Sequence, residues 1–273
     1  MSAMRFLYPI VILSLFLGGV VRGEDTVEPI APGIALVHRV TTAPLNAFFL
    51  KVQLDQPGVR VQPALAQDYY AARETVLSFA KRYGAVAAIN GDYFGSGHGP
   101  EGLNYVLGVP VYEGFGRSAV NFTSALQPTI GLDTNLYSSY QAGELELFNC
   151  LGGGPIFMTN GIVKWEYTAT TINGESFSAG SAWSGLQPWT AVGISSDRKL
   201  LVLAVVDGRQ TLSRGVTPWE MGALLVEMGA SEAIKLDGGG SSEIVVNGAI
   251  RNSPSDGYER PVANALLVFS DAP

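Results

Sequence analysis

Apolar and polar positions alternate along the first part of the chain. In "GIALVHRV" (33–40), "AFFLKVQL" (47–54) and "VRVQPALA" (59–66) the period is two and β-branched residues are frequent, which predicts strands. The period then lengthens. "RETVLSFAKRYG" (73–84) has apolar residues at helical spacing, and Gly84 is a stop signal. "AVAAINGDYF" (85–94) reads as a buried strand entering a glycine turn, and residues 95–110, rich in glycine without a period, read as a loop. "ELELFNCLGGGPIFMTNGIVKW" (144–165) gives strand, glycine turn and strand, with Asn160-Gly161 at a type I′ hairpin tip. Residues 164–187 are small and polar, which suggests a long surface loop. "TAVGIS" and "LLVLAVVDG" are apolar strands. "TPWEMGALLVEMGA" (217–230) is an amphipathic helix with a capping box, Thr217 and Glu220, and a stop at Gly229. "EAIKL" is a buried strand ending at Asp237, and "EIVVNGAIRN" is a hairpin with Asn247-Gly248 at its tip.

Two segments echo each other. Each half has a helix, a Gly-Ala, a buried strand and a polar glycine turn, "AINGDYF" in one and "KLDGGGSS" in the other. The match is too short to establish a duplication. No linker or change of composition appears, so one domain is expected over 28–271. Its predicted class is α+β: mixed, mostly antiparallel sheets with two main helices, and a site at the strand ends.

The first 23 residues have a different character. Arg5 precedes an apolar run from about Phe6 to Val21, then a small residue at Gly23, the form of a signal peptide. The run is short for a bilayer span, so the expectation is an exported protein without a stable membrane span after cleavage. Composition supports a folded core: 47% of residues are hydrophobic and 15% charged. A net charge of −7 argues against nucleic acid, which requires a basic surface. Cys150 is the single cysteine, so no internal disulfide can form, and a buried structural thiol is expected. The two histidines, His38 and His98, fit no cysteine-hydrolase pattern.

The chemistry gathers at turns. Asp237 ends a strand, and Gly238, Gly239 and Gly240 can take backbone angles closed to other residues. Their amides could form an anion-binding nest, with Ser241 and Ser242 adding hydroxyls; the plainer reading is a glycine turn with a capping Asp. Asn90 and Asp92 stand at a second strand end, Asp207 and Arg209 at a third, and Asp256, Glu259 and Arg260 precede the last strand. Asp92, Asp207 and Asp237 are oxygen donors suited to a hard cation, but no contiguous ligand motif is present and no metal or other cofactor is assigned.

In order and wording, "AINGDYF", "GGGPIF…NG", "TAVGIS…VLAVVDGR", "TPWEMGALLVEMGA" and "KLDGGGSSEIVVNG…ERPVANALLVF" resemble the phosphodiester glycosidase family over roughly residues 80–270. The resemblance implies hydrolysis between an anomeric carbon and a phosphodiester oxygen, releasing sugar and a phosphomonoester. It implies a sugar-1-phosphodiester or phosphate-containing glycan as partner. By motif, Asn90, Gly153, Gly154, Thr190, Asp207, Arg209, Glu220, Asp237, Gly238, Gly239, Gly240, Ser241 and Arg260 fall on recurrent positions. On that basis Asp237 and Asp207 are the expected carboxylate pair. Arg209 and Arg260 would hold phosphate with the glycine amides, and Asn90, Asp92, Gly153, Gly154, Thr190 and Ser241 would complete the binding site. Glu220 is expected only to cap its helix.

Two positions depart from the family pattern. Relatives commonly carry arginine directly before the Thr-Ala-Val-Gly segment, where this chain has Trp189, a loss of charge and a gain of a ring on which sugar could stack. Glu243 stands where Thr or Ser is usual; it is either an added carboxylate near the site or an outward strand residue, and the outward position is the expectation. Trp189 therefore favours a glycan-binding protein as the second reading, with a structural envelope protein as a third.

Overall fold

The computed structural model describes residues 23–95, 99–165, 171–172, 175–176 and 185–271. The leader-like segment through residue 22, His98 and parts of the predicted 164–187 loop lie outside the described residues. Three antiparallel sheets make up the fold. The first has eight strands, side by side in the order β1 (Glu24–Ala31), β2 (Ile34–Thr41), β3 (Leu45–Gln53), β16 (Leu200–Val206), β15 (Trp189–Ile194), β17 (Glu232–Lys235), β11 (Ile156–Thr159) and β12 (Ile162–Val163). The second runs β19 (Ala249–Ile250), β18 (Ile244–Val246), β5 (Ala87–Asn90), β20 (Asn264–Ser270) and β4 (Val59–Leu65). The third runs β7 (Val109–Glu113), β6 (Leu103–Val106), β10 (Asn149–Gly153), β8 (Ser118–Phe122) and β9 (Pro128–Leu132). A short pair, β13 (Thr171–Ile172) and β14 (Glu175–Ser176), completes the strands.

Alternation sorts the side chains between two destinations. Inward positions of all three sheets meet in one core, with Leu50, Val192 and Ile234 from the first, Val61, Ile89 and Leu266 from the second, and Val120 and Leu151 from the third. Outward positions of each sheet are covered by one helix. Met221, Leu224 and Leu225 of α3 (Pro218–Glu227) pack with Phe157, Met158 and Ala204. Val76, Phe79 and Ala80 of α1 (Val76–Tyr83) pack with Ala88 and Leu267. Leu136 of α2 (Asp133–Gln141) packs with Tyr105 and Cys150 of the third sheet. Sheets buried on both faces explain why so many strands read as continuous apolar runs rather than clean alternation.

The predicted punctuation is present. Asn160-Gly161 and Asn247-Gly248 all have positive φ, as type I′ tips require, and Gly84 ends α1 in the left-handed conformation. Thr217 and Glu220 form the capping box of α3, an arrangement worth about 1 kcal/mol at the N-cap. Three expectations need correction. The glycine-rich 95–110 region contains β6 and the start of β7, and a third helix, α2, follows β9. The sequence DTNLYSSYQ buries only Asp133 and Leu136, too narrow a stripe to announce a helix. All observed pairings are antiparallel rather than mixed. Among the described residues no helix is long and apolar enough to cross a membrane.

Candidate active site at a seam between two sheets

Strand register sets where the polar ends meet. Trp189 lies opposite Val206, and Ala191 lies opposite Lys235, so β15 begins at the edge where β16 and β17 end. The second sheet reaches the same edge through β5. Asp237 N–H donates to Gly91 O at 3.1 Å, and Asn90 Nδ2 donates to Asp237 O at 2.8 Å. The two echoing segments of the sequence therefore end against each other.

Beside this seam is a cavity of about 230 Å³. Asp237 is the one carboxylate among the described residues that line it, facing Arg209, Lys235 and Arg260. Burial raises the pKa of Asp237, opposed by the Ser241 hydroxyl, Lys235, the Gly238 amide and Arg260 in turn. Arg260 is paired with Asp256 at 2.6 Å and donates to Ser241 Oγ at 3.3 Å. Arg209 holds a neutral partner, Gln187 Oε1, at 2.9 Å from Nε. Lys235 is buried, and its Nζ donates to Tyr93 Oη at 2.8 Å and to Leu236 O at 2.9 Å. Burial lowers its pKa to about 8, opposed by Asp237 and assisted by Arg117.

The glycine turn is mostly closed on itself. Gly238 N–H donates to Asp237 Oδ1, Gly239 N–H to Pro188 O, and Ser241 N–H to Gly238 O. These amides cannot also form the expected nest. The need for glycine is steric at Gly240, where a Cβ would lie 2.2 Å from Arg260 Nη2 and 2.3 Å from Asp256 Cγ. The turn thus lets the Arg260–Asp256 pair close over bare backbone.

Of the residues singled out in the sequence, Trp189, Asp237, Arg209, Gly238, Gly239, Gly240 and Arg260 line the cavity, and Ser241 touches Asp237 and Arg260. Asn90 and Thr190 stand behind the wall. Thr190 Oγ1 donates to Asn90 Oδ1 at 2.7 Å, so the pair positions Asp237 from its backbone side. Four others do different work. Asp207 accepts from Asn46 Nδ2 at 2.6 Å, Asn252 Nδ2 at 2.9 Å and Ser253 N–H at 3.0 Å, so both oxygens are engaged inside the protein. Asp92, buried, accepts from the amides of Tyr93 and Gly102 and from Asn104 Nδ2, and burial lifts its pKa to about 6. Gly153 is buried in β10, and Gly154, at φ +114°, leaves room for Glu175, whose Oε2 a Cβ would approach to 2.0 Å. Asp92, Asp207 and Asp237 do not converge, and among the described residues no group of three or more His, Cys, Asp or Glu is arranged to hold a metal.

Both departures from the family pattern behave differently from expectation. Trp189 borders the cavity but is fully buried, packed edge-on to Phe157 at 5.4 Å, tilted against Trp165 at 5.8 Å and with Lys235 Nζ 5.1 Å from its ring centroid, so it offers no exposed face to a sugar. Glu243 points inward, not outward. It is 1% exposed, and Glu259 and burial both raise its pKa. Sequence reasoning passed over Lys235 and Tyr93 because a lysine inside an apolar strand and a tyrosine after a glycine turn have no motif of their own. Their signal was adjacency to Asp237 and Asp92. Glu175 was read as part of a surface loop, yet it is buried and accepts from Ser118 N–H and Ile156 N–H.

The sequence profile described as phosphodiester glycosidase matches residues 83–269. A SPbeta prophage-derived uncharacterized protein, YomE, from Bacillus subtilis (strain 168) is 32% identical over 199 residues, covering 72% of this chain and 30% of that protein. N-acetylglucosamine-1-phosphodiester alpha-N-acetylglucosaminidase from Bos taurus is 52% identical over 68 residues, 24% of this chain and 12% of the bovine protein. The chain thus spans less than a third of either relative. The zebrafish N-acetylglucosamine-1-phosphodiester alpha-N-acetylglucosaminidase catalytic domain, auto-inhibited by its pro-peptide, superposes with a TM-score of 0.68 at 21% identity, covering 93% of this chain and 90% of that one. A hypothetical protein from Synechocystis superposes at 0.75 with 15% identity, covering 91% and 64%. These two likenesses establish a shared fold.

Proposed function

This chain belongs to the phosphodiester glycosidase family, and on that premise we propose that it hydrolyses the bond between a sugar's anomeric carbon and a phosphodiester oxygen. The observation that carries the reading is the cavity's charge pattern: one carboxylate, Asp237, opposite three cations. Such a pocket suits an anion and presents a single group for proton or carbon chemistry.

One carboxylate is enough for this leaving group. Water supplies the oxygen that bonds to the anomeric carbon and gives up a proton to the Asp237 carboxylate, while the bond between the anomeric carbon and the phosphodiester oxygen breaks and its electron pair stays on that oxygen. The departing phosphomonoester is a weak base, with a second pKa of about 6, so cations can stabilise it without a proton donor. The usual second carboxylate of glycosidases protonates an alkoxide leaving group, and that task does not arise here. Asp237 provides the carboxylate at the anomeric centre. Arg209 and Arg260 face the phosphate, and Asn90, Thr190 and Ser241 fix the carboxylate. Asp207 is assigned to structure.

The leader-like N-terminal sequence supports an activity outside the cytoplasm, on phosphate-containing glycans or polymers. Proton NMR of the purified protein with α- and β-sugar-1-phosphodiesters tests the proposal. Free reducing sugar that appears with wild type and not with Asp237→Asn supports it. Binding without turnover would leave a glycan-binding protein in its place.

A further inference from the structure

The three cations of the cavity are not equivalent. Arg260 is neutralised by Asp256 at 2.6 Å, and Arg209 is exposed on the rim beside a neutral glutamine. Lys235 is the buried one, and charge acts most strongly where water is excluded. Its ammonium is fixed rather than flexible. Tyr93 Oη and Leu236 O accept from it, and Nζ lies 5.0 Å from the Tyr93 ring centroid and 5.1 Å from the Trp189 ring centroid. Tyr93 is itself anchored, donating to Gly154 O at 2.9 Å, with the Arg117 guanidinium 4.3 Å over its ring.

Because Ala191 lies opposite Lys235, residues 189 and 235 are diagonal neighbours on one face of the sheet. The Lys235 head accordingly sits over the Trp189 ring, at the end of β15 that borders the cavity. We infer that Lys235 is the primary phosphate-gripping residue of this chain. The inference rests on the phosphodiester reading for the substrate's identity, but not for the presence of an anion site.

A lysine differs from an arginine in one measurable way: it can lose its proton near neutral pH. Among the described residues, the titratable and charged groups around Lys235 include Asp237 beyond its strand's end, Tyr93 and Arg117 on one side, and Arg209 and Arg260 across the cavity. Of these, Asp237 favours the charged form and Arg117 opposes it. Tyr93 stays protonated throughout, because burial raises its pKa well above the ordinary value. Anion affinity should therefore fall through the pH range in which Lys235 titrates.

The test is calorimetric titration of the whole protein with glucose 1-phosphate at pH 7, 8 and 9, where the probe stays a dianion. Wild-type affinity should drop about tenfold from pH 7 to 9 as the ammonium is lost. Lys235→Arg should bind with no such drop. Lys235→Met should weaken binding at pH 7 by about 10- to 100-fold and flatten the profile. Wild-type affinity in Lys235→Met, or no binding of the probe by wild type, would overturn the assignment. A parallel assay on a sugar-1-phosphodiester separates the two claims. Lys235-dependent binding without hydrolysis retains the assignment and sinks the hydrolase, whereas hydrolysis with an unchanged KM in Lys235→Met does the reverse.

Discussion

Asn90 holds Asp237 by its main chain: the Asn90 amide donates to the Asp237 carbonyl across 2.8 Å, joining the end of one sheet to the end of another. The same side chain accepts from Thr190 Oγ1 at 2.7 Å and from Glu243 N–H at 3.2 Å. Asn90→Ala removes all three bonds from a site with no access to water. It should cost about 2–4 kcal/mol in urea denaturation and lower kcat more than it raises KM, since the carboxylate loses its aim rather than its charge. Unchanged stability and turnover would show that the seam is held elsewhere.

The two aspartates first paired by motif should separate cleanly. Asp237→Asn should reduce turnover by at least about 100-fold while leaving the fold intact. Because burial raises the folded pKa of Asp237, the native state binds more protons than the unfolded chain above the ordinary aspartate value. Its contribution to stability therefore falls as pH rises through that window, and Asp237→Asn should be as stable as wild type, or more so, at pH 7. Asp207→Ala leaves Asn46, Asn252 and Ser253 without their acceptor and should lower stability by about 3 kcal/mol or more. In the folded fraction its kcat should persist. Thermal melts alongside kinetics on both variants decide the matter.

The acid limb of the activity profile belongs to Asp237. Since its pKa is raised, kcat/KM should fall on acidification at a higher pH than an ordinary aspartate of 3.8 would require. A limb at or below that value would mean that Asp237 is not the group whose ionisation matters.

Glu243 and Glu259 predict a stability slope of their own. Burial, and then the neighbouring Glu259 carboxylate, raise the Glu243 pKa. The native state thus retains a proton that the unfolded chain gives up, so stability is highest on the acid side and declines as pH rises. Glu243→Gln should flatten that decline and raise the urea midpoint at pH 9. An identical slope in the variant would mean that the pair does not share a proton.

Gly240 offers a local test of the turn. Gly240→Ala drives a methyl into Arg260 and Asp256. Displacing that ion pair should raise KM by about tenfold, with a smaller effect on melting temperature. A KM like that of wild type would show that Arg260 does not contact the substrate.

Much of this architecture was legible in the residues. Periodicity of two and hairpin tips at Asn160-Gly161 and Asn247-Gly248 mark strands whatever their partners, because turn geometry is local. The helix from Pro218 announces itself by its capping box and Pro at N1. The hidden parts depended on long-range contact. "LGGGPIF" reads as strand, turn and strand, yet β10 and β11 belong to different sheets, and Glu175 from another segment fills the space at Gly154. Asp207 and Asp237 look alike in sequence, each an aspartate after an apolar strand and before glycine. They part only through Asn46, Asn252 and Ser253, which lie 161, 45 and 46 residues from Asp207.

Cys150 lies in β10 with its thiol shut between the third sheet and α2, and burial pushes its pKa above the range of an ordinary thiol. A thiol that water cannot reach is silent to alkylating reagents until the layer over it opens. The chain thus carries a single chemical clock, wired to the breathing of one of its three sheets. Because the cavity lies on the other two, ligand that tightens their seam need not slow that clock. The rate of alkylation with and without ligand would report whether three sheets around a shared core open as one body or as separate leaves.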